Sequence, residues 1–175
     1  GGMLRYGIPS YRLPRERLQD DIRAILETGV EVRLETAVGG GKGEMPVEEL
    51  RREYDAVYIA IGAHADKKIG IEGEDAAGVI SAVELLRGIG DGYAPELNGK
   101  RICVVGGGNV AMDVTRTSIR LGAEKTTVVY RRRKADMTAL QEEIESAIAE
   151  GAEVMELFAP DYIESDEDGK VAALW

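Results

Sequence analysis

A chain of 175 residues with 22 Lys and Arg against 32 Asp and Glu carries a formal net charge of −10. That balance excludes a general nucleic-acid binder, whose electrostatic footprint is basic. The length allows one or two domains with a real core. No apolar run approaches membrane-spanning length and no signal peptide is visible. The single cysteine, Cys103, offers no disulfide, redox pair or cluster and reads as a small buried hydrophobe. A reduced, cytoplasmic setting is the expectation.

The first fourteen residues, GGMLRYGIPSYRLP, are rich in Gly and Pro without clear periodicity. They read as an ordered loop, because Leu4, Tyr6, Ile8, Tyr11 and Leu13 are too apolar for a disordered tail and need cover. Pro14 opens a helix to about Thr28, with Leu18, Ile22, Ile25 and Leu26 on one face and Gly29 as its stop. Residues 30–38 alternate as a half-exposed strand, 39–43 form a turn and 46–53 a short helix. Residues 56–61 are a continuous apolar strand ending at Gly62. Ser81 and Glu84 have capping-box spacing for a short helix to Arg87, and residues 88–99 look like a boundary.

Residues 101–117, RICVVGGGNVAMDVTRT, organise the second half of the chain. Ile102 to Val105 reads as a buried parallel strand, and a helix runs from Asn109 to about Leu121, closed by Gly122. Between them the spacing is Gly106-x-Gly108-x-x-Ala111. Gly106 allows the tight turn, Gly108 lets backbone approach a pyrophosphate, and Ala111 lets the helix pack against the strand. The free N–H groups of the helix N-terminus suit an anion. A strand before, a helix after and a second strand beyond it give this glycine fingerprint its context, and they imply dinucleotide binding.

The second strand, ending at Tyr130, decides which dinucleotide. An NAD-type site carries an acid there for the ribose 2′-hydroxyl. Here the run is Arg131, Arg132, Arg133 and Lys134, with no acid before Asp136. A guanidinium grips a 2′-phosphate through parallel hydrogen bonds, so the reading is NADPH, held by Arg131 and Arg132. Arg133 and Lys134 are the expected bystanders. Thr138 and Gln141 have capping-box spacing for a helix that turns Leu140, Ile144, Ala147 and Ile148 inward and ends at Gly151. Residues 153–158 read as a third strand, and 162–164 with 171–174 as a hairpin through Asp168 and Gly169. His64, the lone histidine, Asp113 and the acids Glu142, Glu143 and Glu145 read as structural or solubilising. No side chain is assigned a catalytic role.

GGMLRYGIPSYRLP, DAVYIAIGAH, GIEGED with GVISAVELL, GKRICVVGGGNVAMDVTRT and VVYRRRKADM occur in this order. The series resembles the small (β) subunit of NADPH-dependent glutamate synthase and related FAD/NAD(P)-dependent oxidoreductases over essentially the whole chain. The resemblance implies an α/β fold: a Rossmann-like NAD(P)-binding domain with part of a split FAD-binding domain. It implies residues 1–62 as the partial FAD-domain segment, 63–98 as a connector and 99–175 as the NADPH-binding domain, incomplete at its C-terminus. In such proteins NADPH passes hydride to FAD, and electrons leave through 4Fe-4S clusters on other domains or subunits. Carried over by position, Gly106, Gly107, Gly108, Asn109 and Val110 hold the pyrophosphate, and Arg131 and Arg132 the 2′-phosphate.

The FAD glycine fingerprint, the flavin-closing Gly-Asp segment and the cluster cysteines of the family are not in this sequence. The expectation is an excised piece that binds NADPH, but not FAD or clusters, and is inactive alone. Its partners are then the remaining FAD and iron–sulfur domains or subunits, with a homodimer through exposed edges possible and no nucleic acid or membrane involved. Family members carry Met-Pro-Ala where this chain has Met137, Thr138 and Ala139, and Thr138 is expected to cap the next helix in place of the proline. A non-catalytic dinucleotide-binding or subunit-docking module, and an NAD-specific relative, are the alternatives.

Overall fold

A computed structural model describes all residues, Gly1–Trp175. In chain order the elements are α1 (Met3–Tyr6), α2 (Arg15–Leu26), α3 (Val47–Glu53), α4 (Ala82–Gly90), β1 (Arg101–Val105) and α5 (Asn109–Arg120). Next come β2 (Lys125–Tyr130), a 3-10 turn (Lys134–Asp136), α6 (Gln141–Ala149), β3 (Glu153–Glu156), β4 (Ile163–Ser165) and β5 (Val171–Leu174). The chain divides into two compact units, one of Gly1–Arg15 with His64–Trp175, the other of Glu16–Ala63.

The larger unit is built on a parallel three-stranded sheet in the order β1-β2-β3. Parallel neighbours need crossovers, and α5 and α6 supply them. Ala111, Met112 and Val114 of α5 meet Val104, Val128, Ile144 and Ala147 in one core. Met112 and Val128 are fully buried, each contributing about 1.5–3 kcal/mol by removal from water. The sequence reads β1 as buried on both faces, but only Val104 is buried, while Cys103 and Val105 are exposed. β1 is an edge strand here and α5 covers one of its faces, so alternate side chains point outward. The expectation of a buried Cys103 is corrected accordingly.

The β4–β5 hairpin forms as read, antiparallel and closed through Asp168 and Gly169. Residues from the connector run beside it: Ile163 N–H donates to the Glu72 carbonyl at 2.8 Å and Val171 N–H to that of Ala77 at 2.9 Å. Ser81 caps α4 by accepting from the Glu84 N–H, as the spacing predicts, and the helix continues to Gly90. A β-carbon on Gly90 would lie 2.5 Å from the Tyr6 Cα, so only glycine lets α1 cross α4 this closely.

The N-terminal segment is a helical turn plus tight turns, anchored by charge rather than merely covered. Arg12 forms a bidentate pair with Asp113 of α5 at 2.9 and 3.0 Å and reaches Glu143 of α6 at 3.0 Å. Arg116 bonds Glu143 at 2.5 Å and Glu150 at 2.8 Å, and Arg120 joins Glu150 at 2.8 Å. The Arg116 and Arg120 guanidiniums stack over the Tyr11 ring, 4.8 and 4.2 Å from its centre. Glu143 is therefore not a solubilising acid: it is buried and paired on both sides. α6 also differs from its reading. It begins at Gln141 with Leu140 as N-cap and no side-chain cap, and Leu140 and Ile148 are largely exposed. The Thr138 capping box is not formed.

In the unit Glu16–Ala63, α2 and α3 form close to their predicted spans, and Gly39 to Met45 closes a turn through one isolated bridge, Val38 to Met45. The strands expected at 30–38 and 56–61 do not form, and Leu34, Tyr58, Ile59 and Ile61 are exposed. A strand exists only when a neighbour pairs its N–H and C=O groups along its length, and residues 30–38 have only the single bridge at Val38.

Asp113 is almost fully buried, so Asp113→Ala strips a partner from the partly buried Arg12. Arg12 keeps Glu143, which places the loss at the low end for a broken buried pair, about 3 kcal/mol in urea denaturation. Burial alone raises the Glu150 carboxyl, but hydrogen bonds from Arg116 and Arg120 outweigh it and hold it below the usual glutamate range. The unfolded chain then takes up the Glu150 proton before the folded one does. This contribution is present at neutral pH and is lost as pH falls through the depressed pKa. Stability measured against pH should show a shallower acid limb for Glu150→Gln than for the unaltered chain.

Candidate nucleotide-binding site

The register Val105↔Val129 carries β1 and β2 to the same edge of the sheet, so the glycine turn and the basic run emerge side by side. Gly106 N–H donates to the Val129 carbonyl at 3.0 Å, extending that pairing by one residue. Gly106 then turns at φ +139, a backbone conformation side chains resist. Its nearest neighbour is the Ala111 methyl, 3.6 Å from where a β-carbon would stand, which is the close strand–helix approach the sequence implies.

Gly107 and Gly108 are glycines for different reasons. A β-carbon on Gly107 would lie 2.6 Å from the Tyr130 ring and 2.9 Å from Met137, so this glycine is needed for packing. Gly108 has an extended backbone, φ −97 and ψ 174, and a β-carbon there would come no nearer than 3.6 Å to the Thr138 hydroxyl. Neither conformation nor protein packing requires glycine at 108. The surface it leaves flat faces the start of α5.

At that start the N–H groups of Gly107, Gly108, Asn109, Val110 and Ala111 have no acceptor in the protein, and α5 has no side-chain cap. The first intrahelical donor is Met112, bonding the Gly108 carbonyl at 3.2 Å. Unpaired donors at the positive end of a helix form an anion site. Asn109, expected at the pyrophosphate, turns its side chain elsewhere: Oδ1 accepts from the Leu140 N–H at 2.9 Å. Val110 is exposed beside it.

Arg131 and Arg132 are exposed, and neither guanidinium is in an ion pair. Arg133 is paired with Asp136 at 3.1 Å, and Arg133 pulls the Asp136 carboxyl below its ordinary range. Of the two acids near the strand end, Asp136 is taken up by the third arginine, and Glu156 of β3 accepts from the Lys134 N–H at 2.6 Å. A cleft of about 370 Å³ joins the two parts, lined by Val105, Gly106, Val129, Tyr130 and Arg131 with Ile69 and Ile71 opposite. His64 lies apart, its Nδ1 in a hydrogen bond with the Tyr6 hydroxyl. Sequence reasoning missed the ties that hold the basic segment, because they depend on side chains of Asn109 and Glu156 meeting backbone N–H groups distant in sequence.

A parallel β-strand, a glycine turn and an uncapped helix beside unpaired arginines define an α/β dinucleotide-binding protein. The profile of the pyridine nucleotide-disulphide oxidoreductase family matches residues 3–155, and the chain belongs to that family. It is 47% identical over 153 residues to the NADP(+)-dependent formate dehydrogenase subunit beta of Moorella thermoacetica, covering 86% of this chain and 21% of that protein. It is 39% identical to the NADPH-Fe(3+) oxidoreductase subunit beta of Geobacter sulfurreducens, over 99% of this chain and 26% of that one. It is 35% identical to the glutamate synthase [NADPH] small chain of Escherichia coli K12, over 99% of this chain and 38% of that one. The chain therefore spans well under half the length of these relatives. Among solved structures, FprA from Mycobacterium tuberculosis superposes with a TM-score of 0.75 at 21% identity, over 99% of this chain and 53% of that one. That likeness establishes the fold.

The two glycines predict opposite outcomes for one small change. Gly107→Ala forces its methyl into Tyr130 and should cost about 1–3 kcal/mol in urea denaturation, the usual range for overpacking. Gly108→Ala should leave stability within about 0.5 kcal/mol, as an unstrained surface change does. Equal losses would show that both glycines serve packing.

Proposed function

We propose that this chain is the NADPH-binding region of a flavin-dependent oxidoreductase of the glutamate synthase small-subunit type. The observation that carries the reading is the shared edge. Gly106 of the glycine turn and Arg131 of the basic run line one cleft; the unpaired N–H groups of Gly107 to Ala111 follow the first in sequence, and the unpaired guanidinium of Arg132 follows the second. A dinucleotide phosphate diester suits the first, and a 2′-phosphate the second.

In this reading, Gly108 gives the pyrophosphate room, Asn109 and Val110 present backbone N–H groups to it, and Arg131 with Arg132 select the phosphorylated ribose. The bound NADPH supplies a hydride. The residues of this chain bind and orient it, and the hydride passes to a flavin with no side-chain base required. FAD and 4Fe-4S clusters belong to the parent protein. One cysteine cannot supply the four thiolates of a cluster, so in this reading the clusters are held by other domains or subunits. Residues 1–62 are read as a segment of the FAD domain, 63–98 as the connector and 99–175 as the NADPH domain. The names of the relatives support this class, since they share NADP(H) and differ in the other reactant. The parent works in the cytoplasm, and this chain alone does not turn over.

A second reading, a subunit-docking module, draws on the bare edge of β1, where Val105 stands exposed beside an unpaired strand edge. Tight self-association together with negligible nucleotide affinity would favour it.

Titration calorimetry with NADPH and with NADH tests the leading proposal. NADPH should bind at least about tenfold tighter, a preference of about 1.4 kcal/mol or more. Replacing Arg131 and Arg132 together by Ala should bring the two affinities level. Equal affinities in the unaltered chain would remove the 2′-phosphate assignment.

A further inference from the structure

The segment that carries Arg131 and Arg132 leaves β2 at Tyr130 and returns to α6 at Leu140, and its only regular structure, the 3-10 turn Lys134–Asp136, lies beyond the two arginines. Contacts from outside the segment hold it in place. At its far end Ala139 N–H donates to the Gly107 carbonyl at 3.0 Å and Leu140 N–H to Asn109 Oδ1 at 2.9 Å. In the middle the Lys134 N–H donates to Glu156 Oε2 at 2.6 Å, and the Tyr130 hydroxyl donates to the Asp136 carbonyl at 2.9 Å. At its near end the Arg132 carbonyl accepts from Leu157 N–H at 3.1 Å.

We infer that Asn109 and Glu156 are positioning residues that set the preference for NADPH over NADH. Each side chain accepts from a backbone N–H of the segment, Asn109 from Leu140 and Glu156 from Lys134. Asn109 bolts the end of the basic segment onto the glycine turn, so pyrophosphate cradle and arginines move as one piece. Glu156 does the same from the end of β3. A phosphate contact made by a segment already held in place avoids the ordering cost that a loose segment would bear on binding. NADH uses the cradle but not the arginines, so it should be indifferent to how firmly the segment is held. The inference rests on the assignment of the 2′-phosphate to Arg131 and Arg132.

Glu156 makes a test that separates geometry from charge. As a carboxylate near the arginines it opposes a second phosphate, so by charge alone its removal should tighten NADPH. As a clamp, its removal should weaken NADPH. Glu156→Gln keeps an acceptor oxygen and drops the charge, whereas Glu156→Ala drops both. Asn109→Asp keeps the acceptor, and Asn109→Leu keeps the size without it. An added charge beside the pyrophosphate in Asn109→Asp weakens both nucleotides alike and leaves their ratio intact.

The experiment is calorimetric titration of the full chain and its variants with NADPH and NADH, with circular dichroism to confirm folding. Expected are a ratio of NADPH to NADH affinity about tenfold lower in Asn109→Leu and a retained ratio in Asn109→Asp. Glu156→Ala, a surface change that leaves the fold intact, should bind NADPH about tenfold more weakly than Glu156→Gln. NADPH and NADH weakening equally in Asn109→Leu would make Asn109 a direct pyrophosphate ligand and overturn the inference. Glu156→Ala binding NADPH as tightly as Glu156→Gln would also overturn it, even if Asn109→Leu fails to fold. Loss of preference in the Arg131 and Arg132 double variant alone leaves the 2′-phosphate assignment standing and the positioning role refuted. No preference in the unaltered chain removes both.

Discussion

The start of α5 imposes a condition that the rest of the larger unit is arranged to meet. A helix cannot satisfy its own first N–H groups, and a glycine turn with no side chains cannot lend it a cap. Ser81 caps α4 in this way, whereas the cap position of α5 is Gly108, which has no side chain to offer. Leaving those donors open at a strand end is tolerable only at a surface, and useful only where an anion comes. β1 must therefore stop at Val105, and the turn must be as tight as Gly106 permits. Parallel pairing of β2 brings its last residue to the same edge, so that Arg131 follows Tyr130 out beside the turn. One set of backbone hydrogen bonds thus places both halves of the proposed recognition.

The arginines show how an acidic protein concentrates positive charge in one place. Arg12, Arg116 and Arg120 are absorbed by Asp113, Glu143 and Glu150 on the outer side of α5 and α6. Arg133 is absorbed by Asp136. Pairing is what makes a guanidinium structural, and its lack of a partner is what leaves one available. Arg131 lines the cleft, and neither it nor Arg132 is in an ion pair. In a chain with a net charge of −10, two such groups create a local field that the overall charge would not suggest.

Much of this was legible in the residues. The strand–glycine–helix unit, the second strand, the Ser81 cap and the hairpin arise from local patterns whose physical basis lies within a few neighbouring positions. The roles within the glycine turn were less so. That Gly107 answers to the Tyr130 ring, and Gly108 to no protein atom, depends on which side chains stand opposite, and spacing carries no trace of it. Glu143 was misread for the same reason. Its place on a helix rich in acids looks solvated, and only the approach of Arg12 from more than a hundred residues away in sequence makes it interior. The contacts of Asn109 and Glu156 escape for a further reason: each joins a side chain to a backbone N–H, and a backbone N–H has no residue type to recognise.

The segments that read as strands yet do not form a ladder show what apolar pattern can and cannot specify. Alternation at residues 30–38 and a continuous apolar run at 56–61 encode which faces avoid water, and both segments expose those faces. Strand formation has a second requirement, a neighbour to take the N–H and C=O groups, and no pattern within the strand supplies it. Helices carry both requirements in one segment, which is why α2 and α3 form in the same unit while the strands do not. β1 stands between the cases. Its inner edge has β2 and forms a full ladder, while its outer edge and outer face remain bare. The exposed Val105 and the unpaired β1 edge therefore express one unmet condition, and a neighbouring strand would satisfy the hydrogen bonding and the burial together.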